Sequence, residues 1–348
     1  MKENKHYNFV YLTNTPSFYK VNLCNEIAKT HSLLLVLYGY GSEAVNKDMS
    51  KSSSYKFDVA FLHEGDSHKR NKVKTFFRLI SLMRTITFDK VLYAGWETME
   101  YNIYSFFIPR KKNVVICEST IWESKFNGLK GWVKKRIINR MGAALPSGQP
   151  HKELFTSINF NGTINVTGSV GIMNKGERKE TEPNTPIRYI YVGRLIDLKN
   201  VRMLVETFNK NGKPLTIAGQ GVLEEELKAK ANSNITFTGF IDNEKLGKLY
   251  QAHDVFILPS YYEAWGLVVE EALYWGLPVI VSNKIGSYPD MVEAYKSGEI
   301  FQLSNKDGLE KAIEKIENNY NEYKKNVMSI DWTERDMTQI RAYTSLFK

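Results

Sequence analysis

The sequence predicts an α/β protein built as two parallel-sheet domains, and three observations carry that expectation. Short apolar, β-branched runs alternate with helix-length segments from end to end, which is the pattern of βα units. At 348 residues the chain exceeds one ordinary domain and suits two of about 150 to 180 residues. Residues 174–186, NKGERKETEPNTP, are polar, carry two prolines and lack a periodic apolar face, so they read as a linker. The expected division is 1–175, 176–330 and a closing helix over 331–348.

Taken in order, the first half offers strands near 8–13, 33–38, 59–63, 90–94, 113–117, 143–146 and 164–167. The second half offers them near 188–192, 214–218, 235–238, 254–259, 278–282 and 299–303. Two helical segments, about 306–325 and 332–347, follow the last strand, and no internal repeat stands out.

Composition narrows the class. With 43% hydrophobic and 24% charged residues the chain can build ample core, which excludes a disordered protein. Cys24 and Cys117 are the only cysteines, so neither a disulfide framework nor a zinc cluster is expected, and a reducing compartment fits. The start lacks the apolar stretch of a secretory signal, and no uncharged run approaches the roughly 20 residues of a membrane span. The expectation is a cytoplasmic protein whose membrane contact is peripheral. Residues 1–175 hold 25 Lys and Arg against 13 Asp and Glu, whereas the remainder holds 22 against 25, so the net charge of +9 resides in the first half.

The strongest local signal is Tyr261 to Gly276, YYEAWGLVVEEALYWG, between the apolar runs DVFILPS and PVIVS. A strand, a short loop and a helix are expected in that order. At 100° per residue Glu271 falls inside an apolar stripe with Leu267, Val268 and Trp275, while Glu270 falls in the polar gap and is expected in solvent. A carboxylate on an apolar face costs several kcal/mol unless it is hydrogen-bonded, at least about 2. Either a ligand diol or a structural Lys, Arg or backbone amide would serve, and periodicity leaves the two open.

The segment resembles the E-x7-E signature of family 4 of the retaining glycosyltransferases, with Glu263 and Glu271 as the acids and Gly266-Leu267 between them. The resemblance implies that Glu263 lies beside the donor sugar, that Glu271 binds ribose hydroxyls, and that the amides of Ala264, Trp265, Gly266 and Leu267 meet sugar and phosphate. A helix start suits the last role, because its free N–H groups and partial positive charge attract a diphosphate. Upstream, YIYVGRLIDLKN resembles the family's first loop of the donor domain, which assigns the donor phosphates to Arg194 and Lys199 after Gly193; Asn200 stands where a Gly often follows. The turns at Gly219 and Gly239 match further, and the second implicates Phe240 and Ile241 at the nucleotide base. No Asp-x-Asp pair is present, so no metal cofactor is expected and cations replace it. The implied fold is GT-B, two Rossmann-like domains facing a cleft, with the terminal helix packing back on the first.

In the first half, LTNTPSFYKVNLCNEIA resembles the opening of a bacterial surface-polysaccharide subgroup and points to Asn14 and Tyr19. VVICESTIWES places Glu118, Ser119 and Thr120 near where relatives carry a donor-contacting His; Glu118 is either a sugar-hydroxyl acceptor or a structural strand-end carboxylate. His63 and His151 read as structural. Lys125 to Arg140 reads as an amphipathic helix whose apolar residues face the core and whose cations meet an anionic inner leaflet. The expected partners are therefore a UDP- or GDP-linked sugar, a glycan acceptor carried on a polyprenyl diphosphate, and that membrane surface. A nucleotide-sugar epimerase or hydrolase on the same fold stays open, and a basic nucleic-acid-binding protein lacks any matching motif.

Overall fold

The computed structural model describes residues 5–14, 17–39, 55–63, 69–179 and 182–347. The chain divides into two compact units, residues 1–174 with 333–348, and residues 175–332.

The first unit runs β1 (Lys5–Thr13), α1 (Phe18–Ile27), β2 (Leu33–Leu37), β3 (Asp58–Phe61), α2 (Lys72–Arg84), β4 (Ile86–Ala94), α3 (Met99–Tyr104), β5 (Asn113–Cys117), α4 (Gly128–Ile138), β6 (Ala143–Pro146), α5 (Gln149–Ser157) and β7 (Thr163–Ile164). Its seven strands form one sheet in the order β3-β2-β1-β4-β5-β6-β7, every pairing parallel. Both faces are covered, as an all-parallel sheet requires. In β1, Val10 and Leu12 enter one core with Leu79, Met83, Tyr101, Tyr104 and Ile138 from α2, α3 and α4. Phe9 and Tyr11 enter the other with Leu23, Cys24 and Ile27 of α1.

The second unit runs β8 (Tyr189–Val192), α6 (Val201–Asn211), β9 (Leu215–Ala218), α7 (Glu224–Lys230), β10 (Ile235–Gly239), α8 (Asn243–Gln251), β11 (Val255–Leu258), α9 (Leu267–Tyr274), β12 (Val279–Ser282), β13 (Gly298–Phe301), α10 (Gly308–Asn318) and α11 (Tyr320–Met328), and is followed by α12 (Trp332–Thr344), which from Thr333 onward belongs to the first unit. Its six parallel strands lie in the order β10-β9-β8-β11-β12-β13. Helix α12 carries the chain back into the first unit, where Arg335 and Gln339 donate to the carbonyls of Gly168 and Ser169. Ala342 and Tyr343 complete the α1-side core.

The thirteen predicted strands are all present. The helix expected over 306–325 is instead two, α10 and α11, broken at Asn319, which leaves helical geometry at φ −126° and ψ 24°.

The basic helix departs from expectation. In α4 the buried residues are Gly131 and Ile138, seven positions apart and hence on one face, while Leu129, Trp132 and Val133 are 78%, 58% and 44% exposed. Gly131 explains this: a Cβ there would lie 2.1 Å from the Phe126 carbonyl carbon, so the helix rests its bare backbone on the preceding loop. The larger apolar side chains are thereby turned outward.

Candidate functional site

Both sheets reverse strand order beside their first strand, in the second unit between β8 and β11, and ligands of such sheets bind outside the carboxyl ends of the strands at that point. The loops leaving β8 and β11 are bound to each other. Tyr261 donates its amide to the Leu198 carbonyl (2.9 Å), and Asn200 donates its side-chain amide to the Pro259 carbonyl (3.2 Å). Asn200 has φ 53°, a left-handed conformation that Asn tolerates, so it fills the place where a Gly is common.

A cavity of about 510 Å³ opens at the ends of β8, β9 and β10. Gly193, Arg194, Gly219, Phe240 and Ile241, from three separate turns, all line it, together with Gln220 and Leu246. Gly219 has φ 143°, and a Cβ on it would sit 1.9 Å from the Gly193 carbonyl oxygen, so only glycine lets these turns meet. Phe240 presents a ring that is 65% exposed.

Lys199 and Glu263 form an ion pair whose side chains are each 14% exposed. Ser260 donates to the same Glu263 oxygen (2.9 Å). The Glu263 backbone is fixed against the following loop, its amide donating to the Lys284 carbonyl (3.0 Å) and its carbonyl accepting from Gly286 (2.9 Å). Tyr191 donates its hydroxyl to the Arg194 carbonyl (3.0 Å). Burial holds that phenol far above its usual pKa, the Glu263 charge adds to this and the Arg194 charge opposes it, so one buried ring senses both charges.

Helix α9 begins at Gly266, whose φ of 87° and a would-be Cβ 2.9 Å from the Ile285 side chain exclude other residues. Glu271 is 8% exposed and accepts one hydrogen bond, from the Tyr250 hydroxyl at 3.4 Å. Burial pushes its carboxyl up to about 7, against the Tyr250 bond and with help from the Glu270 charge. Tyr250 lies one turn beyond Leu246 on α8, so a single helix carries a cavity wall and the donor to Glu271.

Glu270 corrects the helical-wheel reading. It is 3% exposed and accepts from the Trp265 indole nitrogen at 2.9 Å. The wheel counts only the helix's own residues, and the loop ahead of it folds over the polar gap.

In the first unit Glu118 forms an ion pair with Lys20 at 2.9 Å, the lysine being almost buried. Burial pushes the Lys20 ammonium down, but Glu118 outweighs this and holds it above its ordinary pKa. Of its two readings, Glu118 thus has the partner that the structural one demands. Thr120 is fully buried, with its amide donating to Glu123 (3.1 Å). The Ser119 carbonyl accepts from the Cys117 thiol, Tyr19 packs against Gly171, and Asn14 is exposed. His151 is fully buried. Sequence reasoning missed Tyr191, Tyr250 and Ser260: a tyrosine 21 positions before Glu271 has no motif to betray it.

Residues 173–328 match the family of glycosyl transferases group 1. The second unit is a group 1 glycosyl transferase domain. O-antigen chain mannosyltransferase B of Escherichia coli is 30% identical over 115 residues, covering 30% of this chain and 30% of that one. The chain spans 42% of its first curated relative and 26% and 30% of the next two. The lipopolysaccharide outer core galactosyltransferase WaaB, in its apo form, superposes with a TM-score of 0.72 at 15% identity, over 97% of this chain and 99% of that one. HepE of Anabaena in complex with UDP-glucose gives 0.71 at 14% identity, over 98% and 100%. At those identities the likeness is one of fold: the chain has the two parallel-sheet domains of GT-B glycosyltransferases. Among the described residues no group of three or more His, Cys, Asp or Glu is arranged to hold a metal ion.

Proposed function

We propose that this protein is a retaining glycosyltransferase that moves a sugar from a UDP- or GDP-linked donor to a polyprenyl-diphosphate-linked glycan in surface-polysaccharide synthesis, without a metal ion. One observation carries the reading: five residues chosen from three separate turns line one cavity, beside a Lys–Glu pair and a buried carboxylate. Phe240 offers a face for the base, flanked by Ile241 and Leu246, and Glu271 accepts from the ribose hydroxyls. Arg194 and Lys199 face the diphosphate, whose negative charge grows as the glycosidic bond breaks, so their attraction is stronger in the transition state than in the ground state. The amides from Ala264 to Leu267 add the field of a helix start. Glu263, oriented by Ser260 and Lys199, accepts from a sugar hydroxyl beside the reacting carbon. On the acceptor side we assign contact to Asn14, which is exposed, with Glu118 holding Lys20 in place.

Thermal-shift titration with UDP, GDP and their sugars tests the donor. Stabilisation by one nucleotide, and sugar transfer with retained anomeric configuration in the presence of EDTA, is the expected result. Conversion of the donor to a new nucleotide sugar without acceptor would make the protein an epimerase.

The membrane part of the reading is supported by the helix layer formed by α2, α3 and α4. Val73, Phe77, Met99, Ile103, Leu129, Trp132 and Val133 are exposed on these helices, Phe106 and Phe107 just after α3, and the exposed Lys130, Lys135 and Arg136 share α4 with Leu129, Trp132 and Val133. Apolar side chains with cations around them suit an anionic lipid surface, at about 1 kcal/mol per cation. Lys134 and Arg140 serve the fold instead. The Lys134 ammonium lies over the Trp96 and Phe126 rings, and Arg140 donates to the carbonyls of Ser105 and Ile108. Arg136 lies over the Trp132 ring, so charge reversal at Lys130 and Lys135 tests binding with the least change to packing, and unchanged flotation with anionic vesicles would remove the membrane from the proposal.

A further inference from the structure

The first unit has a second cavity, of about 530 Å³, at the end of its sheet opposite the strand carboxyl ends. Lys90 of β4, Arg110 and Lys111 ahead of β5, Thr163 and Asn165 around β7, and Ser345 from the terminal segment line it. Three cations thus border one space, and no carboxylate lies on its wall or forms an ion pair with any of the three among the described residues. The cations are held in place by backbone carbonyls. Lys90 donates to the Lys111 carbonyl (3.0 Å), and Arg110 donates through Nε to the Asn139 carbonyl (3.0 Å) and through one terminal nitrogen to that of Asn161. Donors therefore remain on each: two of three ammonium N–H groups on Lys90, the second terminal nitrogen of Arg110, and the whole Lys111 ammonium.

Partly burying an ammonium near other cations is costly, and Lys90 registers the cost. Burial lowers its pKa, Lys111 and Lys112 lower it further, and the neighbouring Asp89 compensates only in part. An oxyanion in the cavity would relieve this repulsion and accept the remaining N–H bonds, and Thr163 adds a hydroxyl.

We propose that this cavity binds a phosphorylated small molecule by its phosphate or diphosphate group, at a site separate from the nucleotide cavity of the second unit. The volume falls in the range of small-molecule sites, about 300 to 1,000 Å³. Its position has a structural consequence. Asn165 donates to the Ser345 hydroxyl (3.0 Å) and the Ala342 carbonyl (3.3 Å), so the ligand bridges the joint between β7 and the last turn of the chain. Occupancy ties down the terminal segment.

The probe is inorganic pyrophosphate, titrated into the full-length protein by calorimetry with ionic strength held constant by NaCl. Two equivalents are expected for the wild type, one per site, and one for Lys90→Met/Lys111→Met, which should keep its affinity for UDP or GDP within about twofold. Hydrogen–deuterium exchange supplies the local readout: pyrophosphate should slow exchange across residues 161–165 and 340–347 in the wild type and not in the double variant. Lys111→Glu, at an exposed side chain, gives the same answer if the double variant fails to fold, with at least tenfold weaker binding at this site. Unaltered exchange across the two segments, or protection that survives either variant, would overturn the assignment whatever the donor domain does.

Discussion

The two units have sheets of the same winding, yet their strand carboxyl ends differ in what occupies them. In the second unit the loops after β8, β9 and β10 leave a cavity bordered by an exposed ring and an arginine, and the helix that closes it carries the Tyr250 donor to the buried Glu271 carboxylate. In the first unit the corresponding charge, Glu118, is already matched by Lys20, and Thr120 is fully buried. The same topology thus supports a surface left unsatisfied toward a ligand and one satisfied within the chain. Unmet polar capacity, rather than the presence of polar residues, distinguishes them.

The largest expected effect breaks the comparison at its centre. If Lys199 and Glu263 act as proposed, Lys199→Ala and Glu263→Ala should each lower kcat by on the order of a hundredfold or more, by removing charge placed there by the proposal beside the reacting bond. The double variant should lose less than the product, because the residues act as a pair; multiplicative losses in steady-state assays would deny that coupling. Next, on the proposed ribose role of Glu271, Glu271→Gln should weaken nucleotide binding about tenfold or more, through loss of an ionised acceptor.

Proton linkage sharpens the same point. Glu271 is raised from 4.5 to about 7 in the folded protein, so the fold binds an extra proton between those values. The charged form is therefore not buried below about pH 4.5, and stability falls as pH rises from there to about 7 and then levels off, by roughly 3 to 4 kcal/mol at most. Glu271→Gln should be more stable than wild type at pH 8 and equal to it near pH 4.5, in denaturant melts. Nucleotide affinity in the wild type should increase as pH rises through 7, and that slope should vanish in the variant.

Smaller effects test the first unit and the helix start. Gly266→Ala must adopt a left-handed conformation and displace Ile285, which should cost about 1–3 kcal/mol in stability. Glu118→Ala leaves the Lys20 ammonium buried without its carboxylate and should cost a similar or smaller amount, about 1–3 kcal/mol. Nucleotide affinity should not move. A folded Glu118→Ala protein with normal stability and impaired transfer would instead place that carboxylate at the substrate.

Much of this was legible beforehand, because strand alternation and turn glycines are local properties. Every strand was anticipated, and Gly193, Arg194, Gly219, Phe240 and Ile241, named from their turns, line one cavity. The failures share a cause. Glu270 is placed by a helical wheel and the apolar side of α4 by the mixture of apolar residues and cations along it, and neither can see a neighbouring loop; Trp265 closes over one, and the bare backbone at Gly131 seats the other. Tyr250 and Lys20 were unreadable for the same reason, since their partners lie on other elements at no fixed spacing.

Helix α8 carries Leu246, on the cavity wall, and Tyr250, the donor to Glu271, on successive turns. Anything that shifts this helix as the cavity fills must also change how well Glu271 holds its proton. Nucleotide binding should accordingly be accompanied by proton release near neutral pH, visible as a binding enthalpy that depends on the ionisation heat of the buffer. The site would then announce its own occupancy to the solvent as a change in acidity.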